Sequence, residues 1–237
     1  KSINLIPDEE CGTYKTCVSN ITGLPVDPKD GEVLTLEDDD FVEVDLQGES
    51  IEYCCNSYSS IFVGSNGYIT VYGGDTEYET TLGNHYDAVR LSTYFVDLNP
   101  SSAGSVSKKQ LKDRIAITWQ QVPEYDTVEP NTFQVELFFD GTVRISWTEI
   151  SALSGIVGVS CGGGTPDPFA DIDLSQSNAC KQIEILGGEG FILSGPVGGP
   201  FTPSQKDYQI NNPGAVPVDW SASTAAEWLS MDPVGGT

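Results

Sequence analysis

Asn131-Thr132-Phe133-Gln134-Val135-Glu136-Leu137-Phe138-Phe139-Asp140-Gly141-Thr142-Val143-Arg144-Ile145-Ser146-Trp147 is the stretch that decides the fold class. Phe133, Val135, Leu137 and Phe139 alternate with Gln134, Glu136 and Phe138; Val143, Ile145 and Trp147 alternate with Arg144, Ser146 and Thr148. A period of two belongs to a β-strand, whose successive side chains point to opposite faces. Asp140-Gly141 between the two runs is a hairpin signal, because a turn there needs residues that accept positive φ. Both strands are expected to send one face into a core and the other to water, as in an antiparallel sheet with one wet side.

The same device stands upstream, where Ser65-Asn66-Gly67 separates Ser60-Ile61-Phe62-Val63-Gly64 from Tyr68-Ile69-Thr70-Val71-Tyr72. Phe41 to Leu46 reads as a further strand with Phe41, Val44 and Leu46 as its bulky members, the one-residue offset suggesting a bulge. Ile115, Ile117 and Trp119 give another strand, and Ile156-Val157-Gly158-Val159 a short buried one. The single helical pattern runs from Ser105 to Arg114. The expected fold is all-β, an antiparallel β-sandwich.

The chain has 237 residues, 38% of them apolar and 19% charged, a folded composition. No apolar run approaches the roughly 18 residues of a spanning helix, so no membrane insertion is expected. Thirty-five acidic against 11 basic residues give a formal charge of −24. Such a surface repels phosphate backbones and anionic lipid, which argues against nucleic acid as a partner. The absence of Met at Lys1 reads as a mature product or an internal fragment.

Six cysteines, Cys11, Cys17, Cys54, Cys55, Cys161 and Cys180, suggest disulfides, although six allow 15 pairings and spacing does not choose among them. A bridge between Cys161 and Cys180 would close a Gly-, Pro- and Asp-rich loop. Cys11 and Cys17 either pair with each other or with the Cys54-Cys55 doublet. Adjacent cysteines bond to one another only with local strain, which favours distant partners for them. Zinc is disfavoured, since His85 is the only histidine. An oxidising compartment follows, extracellular or at the cell surface. Asn20-Ile21-Thr22 makes Asn20 the candidate glycosylation site, whereas Asn99-Pro100-Ser101 is excluded by its proline.

No catalytic constellation emerges. There is no Gly-x-Ser-x-Gly elbow, and His85, in the turn-like Gly83-Asn84-His85-Tyr86-Asp87, is expected at the surface. Glu136 and Glu149 on the hairpin read as solvated strand acids rather than a glycosidase pair. Gly162-Gly163-Gly164 follows a strand without opening a helix, so it is no phosphate loop. Calcium needs several oxygen ligands from a tight loop. Among Glu37-Asp38-Asp39-Asp40, Asp97-Leu98-Asn99 and the 167–173 stretch, Asp38 with Asp40 and Asp171 with Asp173 are the preferred ligands. No cofactor beyond such a structural calcium is expected. Tyr53, Tyr58, Tyr72 and Tyr78 suit sugar stacking, but cross-strand packing accounts for most such residues.

Val63-Gly64-Ser65-Asn66-Gly67-Tyr68-Ile69, Tyr94-Phe95-Val96-Asp97-Leu98-Asn99-Pro100, Arg114-Ile115-Ala116-Ile117-Thr118-Trp119, Val122-Pro123-Glu124-Tyr125, Asn131-Thr132-Phe133-Gln134-Val135 and Gly155-Ile156-Val157-Gly158-Val159-Ser160 form an ordered series. Over roughly residues 40–175 it resembles the nidogen-like (NIDO) β-sandwich of secreted multidomain proteins. The resemblance implies an extracellular, non-catalytic module of matrix or adhesion proteins; the six cysteines are not part of that family's pattern.

The carboxyl-terminal segment carries Tyr208-Gln209-Ile210, Asn211-Asn212-Pro213-Gly214, Val218-Asp219-Trp220 and Trp228-Leu229-Ser230. It resembles the first half of a BACON-type immunoglobulin-like domain, a family often proposed to bind glycans. The expected organisation is an N-terminal arm (1–35), a NIDO-like sandwich (36–190), a Gly/Pro linker (191–200) and an incomplete Ig-like domain (201–237). A half-sandwich leaves Tyr208, Ile210, Trp220, Trp228 and Leu229 without a facing sheet, and each large apolar side chain left wet forfeits about 1.5–3 kcal/mol. The expected partners are further domains of the same precursor, or neighbouring copies of the chain. In the second case Ile3 and Leu5 of the arm donate a strand head-to-tail and build a fibre. The functional expectation is therefore a non-enzymatic extracellular structural or adhesive protein; the alternative is an accessory or glycan-binding region of a larger secreted hydrolase, with surface glycans as partners.

Overall fold

The computed structural model describes residues 1–8, 10, 12–180, 184–186, 190–211, 220–224, 226 and 228–236. They divide into two compact units, Lys1–Asn178 and Ala179–Thr237. The first contains β1 (Ser2–Pro7), β2 (Tyr14–Ser19), β3 (Glu32–Leu34), β4 (Phe41–Asp45), β5 (Ile51–Tyr53), β6 (Asn56–Tyr58), β7 (Ser60–Gly64) and β8 (Tyr68–Thr70). A short helix α1 (Leu82–Asp87) precedes β9 (Val89–Phe95), β10 (Ser105–Gln110), β11 (Arg114–Pro123), β12 (Pro130–Phe138), β13 (Val143–Glu149) and β14 (Ile156–Cys161).

Seven strands form an antiparallel sheet in the order β2-β1-β13-β12-β11-β10-β3, and five form a second in the order β14-β9-β8-β7-β4. One apolar core joins them, with Ile3, Ile117, Val135 and Ile145 from the larger sheet and Val44, Ile61, Ile69 and Leu91 from the smaller. Two tryptophans stitch across it: Trp119 Nε1 donates to the Gly64 and Ser65 carbonyls at 3.2 and 3.1 Å, and Trp147 Nε1 donates to the Thr93 carbonyl at 3.2 Å. The chain is an all-β sandwich.

The decisive hairpin forms, with Phe133 opposite Trp147, Val135 opposite Ile145 and Leu137 opposite Val143. Its second face is not wet. Gln134 is buried because its amide brackets the Val26 backbone, donating to the Val26 carbonyl at 2.7 Å and accepting from the Val26 amide at 3.0 Å. Glu136 is buried between two guanidinium groups, with Arg114 Nε at 2.7 Å and Arg144 Nε at 3.3 Å. A carboxylate survives such burial only when paired. Burial pushes the Glu136 carboxyl up while the two arginines pull it back.

Residues 1–35 are not an arm: β1 lies inside the larger sheet, Ile3 opposite Ile145 on one side and Val18 on the other. Ser105–Gln110 is a strand, because pairing with β11 from Ser105↔Gln120 to Gln110↔Ile115 overrides its local pattern. β4 pairs with β7 without a bulge, from Phe41↔Gly64 to Asp45↔Ser60, and Phe41 lies outward.

The cysteine doublet is itself a turn. Tyr53 pairs with Asn56, so Cys54 and Cys55 are the whole loop of the β5–β6 hairpin, and both have left-handed φ, 46° and 70°. A two-residue turn with positive φ at both positions is usually Asn-Gly, since other side chains are strained there. Cys54 bonds Cys161 across 107 residues with a Cα–Cα distance of 5.4 Å, so Cys161 does not close the loop to Cys180. Cys17, Cys55 and Cys180 are also disulfide-bonded, as an oxidising environment allows. Cys11 lies outside the described residues.

The second unit holds β15 (Glu184–Leu186) paired with β16 (Gln209–Asn211) and β17 (Trp220–Ser221) paired with β18 (Gly235–Gly236). Two-stranded ladders are marginal alone. Among the described residues none of this unit joins a buried apolar core, and Ile185, Ile192, Phe201, Tyr208, Ile210 and Trp228 are exposed. The boundary falls between residues 178 and 179, before the Gly/Pro stretch rather than within it.

Candidate functional site: an acidic cluster around Asn66

The turn between β7 and β8 does more than reverse the chain. Gly67 alone takes the left-handed conformation, at φ 75°, and a β-carbon there would collide with the Tyr94 carbonyl. Asn66 instead uses its side chain. Wholly buried, its amide nitrogen donates to Asp39 Oδ1 at 2.8 Å and to the Glu77 carbonyl at 3.1 Å, and its amide oxygen accepts from the Leu98 amide at 2.7 Å. One residue thus ties the loop before β4 to the loop after β9.

That tie brings three carboxylates together. Asp38, Asp39 and Asp97 each offer an oxygen within 4.8 Å of the others, and no other group of three or more ligating side chains occurs among the described residues. Two oxygens that share a calcium ion at about 2.4 Å lie at most about 4.8 Å apart, so this spacing fits a calcium shell. The donors are all hard carboxylate oxygens, which disfavours zinc. One oxygen, Asp38 Oδ1, is buried without a hydrogen-bond partner. Burial, then the charges of Asp39, Asp38, Glu124 and Asp126, pushes the Asp97 carboxyl up to about 6. Burial, then Asp39 and Asp126, raises Asp38 as well. Glu124 reaches the cluster through the Leu98–Glu124 bridge and the Tyr125 amide, which donates to the Asp97 carbonyl at 2.9 Å.

Asp38 therefore belongs to the cluster, but its expected companion Asp40 does not. The Asp40 carboxylate accepts from the Glu37 and Phe41 amides at 3.1 and 2.8 Å, closing its own loop. Asp39, at φ 48°, turns in its place toward Asp97. Asp171 and Asp173 are exposed and join no such group.

His85 is buried in α1, not at the surface, with Nδ1 2.8 Å from Ser92 Oγ. Burial, then the nearby Arg90 charge, lowers its pKa to about 4. A neutral imidazole beside a serine hydroxyl has the composition of a catalytic dyad. Here both members are sealed in the sandwich, and a β-carbon at Gly158 would lie 3.5 Å from His85 Nε2. Asn20 is exposed just after β2. Ile3 and Leu5, the expected strand donors, are 1% and 7% exposed in β1, whose two edges are already paired, so β1 has no free edge to give a neighbouring copy. Tyr208, Ile210 and Trp228 are exposed, while Trp220 and Leu229 are half-buried. No helix among the described residues is long and apolar enough to cross a membrane.

Asn66 was legible as a turn residue and Asp97 as part of an acidic loop. Their union through a buried amide has no local signal. The chain matches no protein-family model, no curated protein and no solved structure, so the nidogen-like and BACON resemblances rest on the residues quoted above.

Proposed function

We propose that this chain is a non-catalytic module of an extracellular structural or adhesive protein, and that its sandwich is completed by a calcium ion held by Asp38, Asp39 and Asp97. The observation that carries this reading is the convergence of those carboxylates around a buried oxygen that lacks a hydrogen-bond partner. A divalent cation offsets the burial and the mutual repulsion that together raise Asp97, and ties the two loops. The disulfides and the sealed His85–Ser92 pair agree with a durable module rather than an enzyme. The exposed Tyr208, Ile210 and Trp228 support contact with further domains of the same precursor or with neighbouring copies.

The test is calcium titration of chelator-treated protein by calorimetry and thermal melting. A saturable heat and a rise in Tm, both absent in Asp97→Asn, are expected at the ~0.1–1 mM affinities of extracellular calcium modules. No heat and no shift at about ten times that range would remove the calcium reading.

A further inference from the structure

A cavity of about 540 Å³ opens beside the Cys54–Cys161 disulfide, between the loop after β8, the end of α1 and the exit of β14. It lies in the ~300–1,000 Å³ range of small-molecule sites. Tyr72, Asp75, Asp87, Gly162 and Gly163 are among its lining residues. None of these residues belongs to the Asp38 cluster.

Tyr72 is 71% exposed and meets Tyr58 in a T-shaped contact at 5.3 Å, so most of its ring is available to a ligand. Asp75 is fixed from behind. Its Oδ1 accepts from the Glu77 amide at 3.0 Å and its Oδ2 pairs with Arg90. Arg90 is 2% exposed and clamped between the Tyr68 and Phe95 rings, 4.3 and 4.9 Å from their centroids. Its Nε and Nη1 are buried without hydrogen-bond partners. A buried arginine with unpaired donors is a costly way to hold a surface loop, which points to the loop's geometry as what is being kept. Opposite, Gly162 and Gly163 take φ of 77° and 90°, and Gly163 has nothing within 4 Å of where a β-carbon would stand. A ligand can therefore approach the backbone closely there.

The lining chooses the ligand chemistry. Among the described residues no Lys or Arg lines the cavity, which argues against phosphate and other anions. Asp75 is already paired with Arg90, so its carboxylate offers an oriented acceptor more than a free charge. An exposed aromatic face beside a fixed carboxylate acceptor and a second, exposed one suits a neutral ring with an apolar face and hydroxyl donors. We propose that this cavity binds a neutral saccharide, with Tyr72 stacking on a sugar ring and Asp75 and Asp87 accepting from its hydroxyls.

The test is affinity gel electrophoresis of the whole chain, with calcium present throughout so that the metal site does not enter the outcome. The gels contain a β-1,4-glucan, a β-1,3-glucan, an α-mannan or a xylan, and polylysine serves as the cationic probe. The expected result is retardation by at least one neutral polysaccharide, weakened at least about tenfold by Tyr72→Ala, the loss of an aromatic anchor. Asp87→Asn, a surface change that leaves the fold intact, should weaken it as well. Retardation by none of the four, retention unchanged in Tyr72→Ala, or binding to polylysine alone would overturn the proposal.

Discussion

Trp119 of the first unit and Trp228 of the second are treated in opposite ways. In Lys1–Asn178, Trp119 is wholly buried, stacked on Phe133 at 5.1 Å, and its indole nitrogen is hydrogen-bonded across the sandwich. In Ala179–Thr237, Trp228 is 69% exposed and its neighbouring strands are two or three residues long. Apolar content does not separate the two. Strand pairing over long sequence separations does, because only a sheet of several strands presents a continuous face to bury.

The sharpest way to break this contrast is to truncate a side chain in each unit. Trp119→Ala should cost the first unit about 3–5 kcal/mol in denaturant unfolding, the loss expected for a large core aromatic. Glu136→Gln comes next. It leaves the half-buried Arg114 and Arg144 around a neutral amide, and should cost about 3 kcal/mol. Cys161→Ser opens a 107-residue loop and releases the Cys54 turn; about 2–4 kcal/mol should be lost, with parallel loss in reductant.

A smaller effect separates the metal site from the core. The Asp97 pKa is raised from 3.8 to about 6, so the folded chain holds that proton more tightly than the unfolded one. The associated stability is present below pH 3.8 and lost as pH rises through about 6. Without calcium, Asp97→Asn should therefore melt above wild type at pH 7 and converge with it near pH 4. With calcium the order should reverse, because the variant lacks a ligand. Parallel curves in both conditions would show that the carboxylates are merely solvated. At the bottom of the scale, Trp228→Ala should change unfolding of the first unit by no more than about 0.5 kcal/mol, as a surface substitution does. A larger loss would mean that the tryptophan is sheltered in solution.

The hairpins over residues 60–70 and 133–147 were legible because alternation and a glycine turn are local signals. The strand at Ser105–Gln110 was not, since Ser-Val-Ser-Lys-Lys-Gln earns its conformation from β11 and β3 on either side. Nor was the turn at Cys54-Cys55, where a pair unsuited to positive φ is held in place by bonds to distant residues. The buried outer face of β12 was missed for the same reason. Gln134 and Glu136 look like solvated strand residues until Val26, Arg114 and Arg144 are brought over them. At the acidic cluster, the right loops were visible, but the choice between Asp39 and Asp40 hung on one backbone dihedral that composition does not encode.

The placement of β1 has a consequence for the order of events during biosynthesis. Residues 2–5 leave the ribosome long before residues 143–146, the partners they need, so this part of the larger sheet stays open until residue 146 has been made. Contacts of such high sequence separation form slowly. A nascent chain built this way becomes hard to pull apart only after residues 2–5 have slotted home beside residues 143–146.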